Sequence, residues 1–438
     1  MKKIKQIFVA LSLITLGLGM AQTGYAQDVP EDVTVSGITA KYAQDLPEGS
    51  TISGRYDINL LPGVTKTSLE IYDLHMLVLW VCVAIAIAVF GVMFYSIYYH
   101  RKSQGHVAEQ FHESTTIEIL WTIIPTIILI GLAIPATKVM IDMDTITEDK
   151  PSLVGLLDKK SELSTTNTEP LSIKVTGWQW KWEYEYLDNG VRFFSSLDEA
   201  SNKARQPKSG IDPRSVPHYL LNVDNPLVVP INRRVRFVFT SGDVIHSWWV
   251  PDLGWKKDTI PGFINEAWTN IPKAGIYRGQ CAELCGKDHG FMPIVVVALE
   301  QADYDNWVKD QQALTEIKKV EADKKWSKQE LMAKGESIYQ NNCSSCHMAG
   351  GEGLAGTFPA ITASSLVTGD IEAQIDLMLK GKGMMPGFAQ MLSPVDFAAV
   401  VTYTRNALGN QMGDSVQPSK IKSLTANLAV EEDEDDDE

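Results

Sequence analysis

The sequence predicts a multidomain membrane protein with a two-helix transmembrane hairpin, a Greek-key β-sandwich and a small all-α domain. Three observations support this prediction. Two long apolar runs lie near residues 74–98 and 118–138, segments of alternating hydrophobicity follow them, and a Cys-x-x-Cys-His motif occupies residues 343–347. At 438 residues and 45% hydrophobic composition, the chain is long enough for two or three separate cores.

The first 26 residues have the layout of a secretory signal peptide. Three lysines precede the apolar run from Ile7 to Met20, and small residues near Ala26 offer a cleavage site. Their removal makes the formal net charge of −15 more negative by three units, because it deletes three lysines and no acid. A chain this acidic is a poor nucleic-acid binder. Residues 27–70 form a polar N-terminal segment that indicates no particular chemistry.

Two apolar segments are long enough to cross a bilayer as helices. The first has no charged residue from Met76 to Ile97, and the second, from Ile119 to Thr137, contains two prolines that membrane helices tolerate. Arg101 and Lys102 give the connecting loop the basic bias of a cytoplasmic loop. Both long termini are therefore expected outside the cytoplasm.

A polar linker, residues 142–169, leads into a region of strands over residues 170–303. Stretches such as 180–186 place aromatic residues at every second position, which is typical of half-buried strands. Several such strands separated by turns indicate a Greek-key sandwich. Residues 195–217, rich in Ser, Lys and Pro, have the composition of an insertion loop.

Five candidate metal ligands belong to this region. Two thiols, an imidazole and a thioether fall within twelve residues, at Cys281, Cys285, His289 and Met292, and His246 lies upstream on a segment that a hairpin could carry back to them. Ligands this soft select a soft or borderline metal, copper above all. A mononuclear blue-copper centre uses one cysteine. Two thiolates can instead bridge two copper ions that share one electron.

Two alternatives to copper remain open for these residues. Structural zinc also uses two cysteines with two histidines, although zinc-finger spacing is absent and the Met292 thioether would have no role. Thiol–disulfide exchange between Cys281 and Cys285 would suit an oxidising compartment. It leaves the two histidines without a function.

The C-terminal part begins with a charged, helix-favouring connector over residues 304–326. A capping box at Ser327 and Glu330 then opens a new domain, expected over residues 327–412. The last residues, 413–438, end in eight consecutive acids, which is typical of a disordered and solvated tail.

Cys343, Cys346 and His347 have the spacing by which two thioether bonds hold a haem and the adjacent histidine binds its iron. A redox Cys-x-x-Cys pair is the alternative, and both the histidine and an exported location favour haem. The second axial ligand is expected to be Met385, directly before a proline, with Met384 and Met391 as alternatives. A methionine ligand raises the haem potential.

The pattern C-x3-C-x3-H-x2-M, with His246-Ser-Trp-Trp-Val-Pro251 upstream, closely resembles the dinuclear copper (CuA) domain of cytochrome c oxidase subunit II. The resemblance covers about residues 70–310 and includes Lys257–Gly262 and Met292–Val295. Residues 327–410 resemble a class I cytochrome c. The resemblance implies a cupredoxin-like fold for the sandwich and an all-α cytochrome c domain after it.

The resemblance also implies roles for individual residues. The copper ligands would be His246, Cys281, Glu283 through its backbone carbonyl, Cys285, His289 and Met292. The Glu283 carboxylate would help hold a magnesium ion at the contact with subunit I. Trp180 aligns with the aromatic residue through which electrons from cytochrome c enter, and Glu118 with a glutamate near a proton pathway into subunit I. On sequence grounds alone, a tryptophan such as Trp180 is more often a core residue than a functional one. Glu118 is equally typical of a solvated interfacial carboxylate.

The implied function is electron transfer in a respiratory chain. Electrons from cytochrome c, or from the chain's own covalent haem c, would pass through two copper ions to subunit I, where oxygen becomes water with proton translocation. Expected partners are subunit I, other oxidase subunits, a soluble or membrane-bound cytochrome c and membrane lipid. The chain would be a two-pass protein of a bacterial inner membrane, with both cofactor domains on the periplasmic side.

Three other classes of protein compete with this interpretation. A quinol oxidase subunit II shares the fold but lacks the copper ligands. A copper-dependent nitric oxide reductase could use the same copper module with a different partner. A copper-delivery or thiol-redox protein would have no use for a methionine-ligated haem and two spans.

Overall fold

A computed structural model describes most of the chain. The described residues are 38–49, 59–105, 107, 110, 112–144, 169–206 and 209–435. The expected signal peptide, residues 1–26, and residues 145–168 of the expected linker lie outside them.

Helix α1 (Ile38–Ala43) belongs to the polar N-terminal segment. Side chains in this helix and shortly after it form hydrogen bonds with later parts of the chain. The Trp307 indole donates to the Thr39 hydroxyl across 3.0 Å. Glu48 forms a two-pronged ion pair with Arg278, whose side chain is fully buried, at 2.9 and 3.0 Å. A buried guanidinium needs such a partner, so this segment has a structural role that its composition did not indicate.

Helices α2 (Lys66–Tyr99) and α3 (Thr115–Asp144) are both long and apolar enough to cross a membrane, and they contact each other. They confirm the predicted hairpin and extend beyond the spans expected from composition. At the N-terminus of α2, the Thr65 hydroxyl donates to the Leu253 carbonyl at 2.8 Å. The membrane hairpin is thereby tied to the folded domain that follows it.

Within the described residues, ten strands form two five-stranded sheets, which confirms the predicted sandwich. Their bounds are β1 (Leu171–Trp178), β2 (Lys181–Tyr186), β3 (Arg192–Ser195), β4 (Leu227–Pro230), β5 (Arg234–Ser241), β6 (His246–Val250), β7 (Trp255–Thr259), β8 (Asn265–Asn270), β9 (Gly275–Cys281) and β10 (Pro293–Leu299). The strand orders are β3-β2-β1-β5-β8 and β4-β10-β9-β6-β7, with β1/β5 and β4/β10 parallel and the other neighbours antiparallel.

Aromatic side chains fill the space between the sheets. Phe237 and Phe239 of one sheet pack against Trp248 and Trp255 of the other, with ring centroids 5.4 to 6.0 Å apart. The Trp248 indole also donates to the Tyr184 hydroxyl at 3.3 Å. This core fixes β6, whose first residue is His246.

Strand β2 departs from the simple in-and-out alternation that its sequence predicts. Lys181 and Glu183 face away from the core and yet are 7% and 5% exposed. The outer face of β2 is covered by the C-terminal domain, since Lys181 reaches Asn342 and lies 5.6 Å from the Phe388 ring centroid. Both faces of this strand are therefore buried.

The expected insertion at residues 195–217 carries a short helix, α4 (Glu199–Ala204). Asp198 caps it by accepting from the Ser201 amide at 3.2 Å. Its residue Asn202 donates to the Gln340 carbonyl of the C-terminal domain at 3.1 Å. The α4 part of the insertion therefore packs between two domains, whereas residues 209–215 are exposed.

Helix α5 (Gln301–Glu321) forms the expected connector. Its Trp307 is fully buried and contacts Tyr186 and Phe193 of the sandwich, with ring centroids 5.4 and 6.2 Å away. The connector is helical, as the composition predicts, but its N-terminal half is packed on the sandwich and does not act as a free spacer.

The C-terminal domain consists of α6 (Lys328–Asn342), α7 (Ser344–His347), α8 (Ile371–Lys380), α9 (Pro394–Asn406) and α10 (Pro418–Asp435). The capping box at Ser327 and Glu330 is present, which confirms that prediction. Helices α6 and α9 cross closely at Gly335, where an added Cβ would lie 2.2 Å from the Ala399 carbonyl oxygen.

The prediction of a disordered tail from residue 413 is wrong for the beginning of that segment. Val416 and Ile421 are 2% and 0% exposed within the core of the C-terminal domain. The acidic run masked this packing, because eight charged residues at the end of the chain say nothing about the apolar residues before them. Residues 436–438 lie outside the described residues.

Candidate metal centre and haem motif

Neighbouring strands bring the predicted metal ligands together. His246 begins β6 and Cys281 ends β9, and these strands pair at Trp248 and Cys281. The ligand atoms of His246, Cys281 and Cys285 lie within 4.8 Å of one another, and all three residues are buried. Because β9 and β10 are adjacent antiparallel strands, residues 282–292, the copper loop, must turn back over this cluster.

The copper loop places its other candidate ligands beside the thiols. The two cysteine sulfur atoms are 3.9 Å apart, and the Cys285 sulfur lies 3.5 Å from the His289 Nδ1. Met292, at the end of the loop, is 1% exposed. The Glu283 carbonyl oxygen lies 3.3 Å from the Cys281 sulfur, while the Glu283 side chain is exposed.

His246 is oriented as a metal ligand requires. Its Nε2 donates to Asp243 Oδ1 at 2.9 Å, and its buried Nδ1 has no hydrogen-bond partner among the described residues. A buried nitrogen without a partner is costly unless something binds it. A carboxylate on the opposite nitrogen is the usual support of a metal-binding histidine. Gly177 allows this ring to lie against β1, since an added Cβ would be 2.8 Å from the His246 Cδ2.

The two thiols are close enough for each to shift the pKa of the other. A hydrogen bond from Cys285 lowers the pKa of Cys281 to about 3, and the same contact raises the pKa of Cys285 above its ordinary value. Burial lowers the pKa of His246, but Asp243 and Cys281 more than offset it, so the net pKa is raised. Soft metals bind thiolates and displace such protons. The donor set therefore fits copper.

The turn between β1 and β2 supports the copper loop from the side. The Cys285 carbonyl oxygen accepts from the Gln179 side-chain amide at 2.7 Å and from the Trp180 indole at 3.2 Å. Trp180 is half-buried. The predicted aromatic residue is thus in direct contact with the backbone of a candidate copper ligand.

The haem motif, residues 343–347, follows directly from α6. Cys343 caps that helix, and Cys346 and His347 lie in α7, with both thiols outside any disulfide. The His347 Nδ1 donates to the Pro359 carbonyl at 2.8 Å, which leaves Nε2 for an iron ion. These residues fit a covalently attached haem.

Three family models match the chain. The model described as cytochrome c oxidase subunit II, periplasmic domain, matches residues 171–299, and the transmembrane-domain model of the same family matches residues 53–139. A model described as cytochrome c oxidase, cbb3-type, subunit III matches residues 330–403.

Curated relatives carry the same description. A probable cytochrome c oxidase subunit 2 of Rickettsia felis is 35% identical over 253 residues, which is 58% of this chain and 71% of the relative. The chain belongs to the cytochrome c oxidase subunit II family. Cytochrome c oxidase subunit 2 of Oenothera berteroana is also 35% identical, over 58% of this chain and 90% of the relative. The solved periplasmic domain of subunit II of Bradyrhizobium japonicum is 41% identical and covers 33% of this chain and 96% of that chain, with a TM-score of 0.29.

Membership in the subunit II family accounts for the apolar hairpin and the sandwich, and it confirms the family resemblance. The family binds copper in a CuA centre, and the cbb3-type match implies haem c in the C-terminal domain. Subunit II belongs to an oxidase complex, so the family implies partner subunits, and the family model that matches the sandwich is described as a periplasmic domain.

Glu118, another residue singled out by the subunit II resemblance, is remote in sequence from the metal cluster. It occupies the first turn of α3, where its carboxylate accepts from the Ser114 amide at 3.4 Å. Its side chain is exposed. In the isolated chain it therefore serves as a helix cap.

Sequence reasoning missed several residues that support these sites. Asp243 accepts a hydrogen bond from His246, and its position three residues before a candidate ligand was the available signal. Arg205, Lys181 and Lys287 contact the C-terminal domain from distant parts of the chain. Their spacing in the sequence carries no signal of this contact.

Proposed function

We propose that this chain is the electron-accepting subunit of a bacterial cytochrome c oxidase. Electrons from a cytochrome c donor enter the C-terminal haem domain, pass to the copper loop, and leave for subunit I, where oxygen is reduced to water with proton translocation. The observation that carries the proposal is the buried cluster of two thiols and an imidazole whose Nδ1 has no hydrogen-bond partner in the described part of the chain.

Six groups would hold two copper ions in this chain: the side chains of His246, Cys281, Cys285, His289 and Met292 and the backbone carbonyl of Glu283. When bound, the two ions supply a one-electron carrier whose charge is spread over both metals. The protein's part is to keep the ligands fixed, because a site that does not rearrange exchanges an electron with little cost. The hydrogen bonds to the Cys285 carbonyl and to His246 support this rigidity.

Cys343 and Cys346 would bind haem c covalently, and His347 would bind its iron. Met385 is the proposed second axial ligand. It packs against the core of the haem domain, as does Met391, whereas the side chain of Met384 is 68% exposed. A ligand must point inward to reach a haem, which favours Met385 over Met384.

The face toward subunit I is proposed to include the tip of the copper loop. Leu284 is 77% exposed beside the solvent-facing carboxylate of Glu283. An exposed apolar residue next to an unused carboxylate suits a subunit contact that includes a magnesium ion. Glu118 would lie at a proton pathway on the opposite side of the membrane, and the hairpin would contact lipid of the bacterial inner membrane.

Cysteine variants test the proposal with a control inside the same chain. Cys285→Ser should abolish copper binding and leave the haem attached, while Cys346→Ser should disturb haem attachment and leave copper bound. Cys82→Ser is the control, because Cys82 is exposed on the apolar helix α2. Retention of copper by Cys285→Ser would contradict the proposed site.

A further inference from the structure

Contacts join the copper domain, residues 170–303, to the edge of the haem domain that carries the haem motif. Lys287 of the copper loop donates to the Ser345 carbonyl at 2.6 Å. Asn202 of α4 donates to the Gln340 carbonyl at 3.1 Å. The Lys181 ammonium of β2 donates to the Asn342 side chain at 3.3 Å. Three separate segments of one domain thus converge on six residues of the other.

Arg205, directly after α4, is the centre of this interface. Its guanidinium donates to Asp288 Oδ2 at 3.1 Å and to the Ser345 hydroxyl at 3.4 Å, and it lies 4.4 Å from the ring centroid of Phe291. A third hydrogen bond, to Asn202 Oδ1 at 2.8 Å, fixes its direction. A planar group with several rigid donors can hold three partners at once, which an ammonium cannot do in the same geometry.

The partners of Arg205 are adjacent to the candidate ligands of both sites. Asp288 precedes His289, Phe291 precedes Met292, and Ser345 lies between the two haem cysteines. The side chains of Arg205 and Asp288 are 13% and 3% exposed, so this ion pair is shielded from water. Removing one partner of a shielded pair leaves a buried charge uncompensated. The arrangement therefore favours one relative position of the two domains.

We propose that Arg205 and Lys287 form a latch that seats the haem domain on the copper loop, with Arg205 as the positioning residue for electron transfer between them. This inference rests on the proposed function for its electron-transfer consequence. One electron leaves the reduced haem domain and one enters the oxidised copper domain, with no bond made or broken. The rate is then set by distance and orientation, which the latch fixes.

The test uses the full-length holoprotein with Arg205→Ala and Arg205→Lys. Arg214→Ala is the matched control, because Arg214 lies in the same insertion, has a side chain 91% exposed, and pairs with Asp212. Hydrogen–deuterium exchange would be followed in residues 282–292 and 338–349. Electron arrival at copper after rapid photoreduction of the haem would be followed in the same samples.

The latch predicts faster exchange in both segments for Arg205→Ala, with Arg214→Ala unchanged. It also predicts that haem-to-copper transfer slows by about tenfold or more, because a small misplacement of reacting groups is enough for such a loss. Arg205→Lys should be intermediate, since it keeps the charge and loses the planar geometry. Lys287→Ala provides a second variant should Arg205→Ala fail to fold, with the same expected direction.

Unchanged exchange and an unchanged transfer rate in Arg205→Ala and Lys287→Ala would overturn the latch and leave the proposed relay intact. The exchange readout does not need copper. Faster exchange in a protein whose native form lacks a two-copper spectrum would therefore support the latch while the proposed function fails. The two ideas are separated by these measurements.

Discussion

Trp180 donates its indole N–H to the carbonyl oxygen of Cys285 across 3.2 Å. The same oxygen accepts from the Gln179 side chain at 2.7 Å, so the turn between β1 and β2 is tied to the copper loop at one atom. An aromatic ring that is hydrogen-bonded to the backbone of a proposed copper ligand is well placed to pass electrons into the proposed site.

Replacing Trp180 by phenylalanine should slow reduction of the copper site by about tenfold or more, because both the indole contact and its positioning of the loop are lost. Copper content should stay the same, since no ligand is removed. The measurement is the rate of copper reduction after rapid photoreduction of the haem domain. Trp178→Phe is the control, because the Trp178 indole donates a hydrogen bond to Glu183 on the neighbouring strand and not to the copper loop. Equal rates in the two variants would rule out a special role for Trp180.

Asp243→Asn should weaken copper binding by about 10- to 100-fold, the usual effect of removing a carboxylate that supports a histidine ligand. Asp243 accepts from His246 at 2.9 Å and from the Gln179 amide at 2.7 Å. Competition with a copper chelator measures the affinity. Asp258→Asn is the matched control, since Asp258 accepts hydrogen bonds from Ser247 and Lys256 and not from His246. Loss of affinity in Asp258→Asn alone would refute this assignment.

Met385→Leu should remove the far-red absorption band of methionine-ligated haem and lower the haem potential, because methionine ligation raises that potential. Met384→Leu should leave both properties unchanged, since its side chain is 68% exposed. A visible spectrum and a redox titration of each variant decide between them. Were Met384→Leu to lose the band, the axial ligand would be assigned to Met384; loss in Met391→Leu would point to Met391.

Lys181 should make the stability of the protein depend on pH in the alkaline range. Burial lowers the pKa of Lys181 to about 8 from 10.5, although nearby acidic groups partly oppose this effect. Between about pH 8 and 10.5 the unfolded chain holds a proton that the folded chain has released, so stability rises with pH across this window. The full effect is on the order of 3 kcal/mol.

Lys181→Met should therefore be more stable than the native protein at pH 7 and should lose this rise, because an apolar side chain is not penalised by burial. Denaturant midpoints of the haem and copper signals at pH 7 and pH 10 provide the measurement. Lys174→Met on neighbouring β1 is the control, since the Lys174 side chain is 44% exposed. A native pH profile in Lys181→Met would contradict this explanation.

Local patterns in the sequence predicted much of this fold. The candidate ligands Cys281, Cys285 and His289 lie at the end of β9 and in the loop that follows it, so their spacing alone constrains their positions. The capping box at Ser327 and Glu330 likewise depends on residues three positions apart. An apolar run long enough to span a bilayer can be recognised from its own length and composition, without reference to any other segment.

The contacts that the sequence patterns did not predict join residues that are distant in sequence. Glu48 and Arg278 form a shielded ion pair, and Lys287 reaches Ser345, but no spacing rule links either pair. The burial of Lys181 arises only because another domain covers β2. Charged residues are usually solvated, so composition argued against each of these contacts.

The most direct test of the relay is the copper and haem content of the oxidised full-length protein, together with its electron paramagnetic resonance spectrum. The ligand set predicts two copper ions for each covalent haem, with one unpaired electron shared equally by both copper nuclei. One zinc ion, or a single copper ion with a localised electron, would contradict the dinuclear centre and with it the proposed path from haem to subunit I.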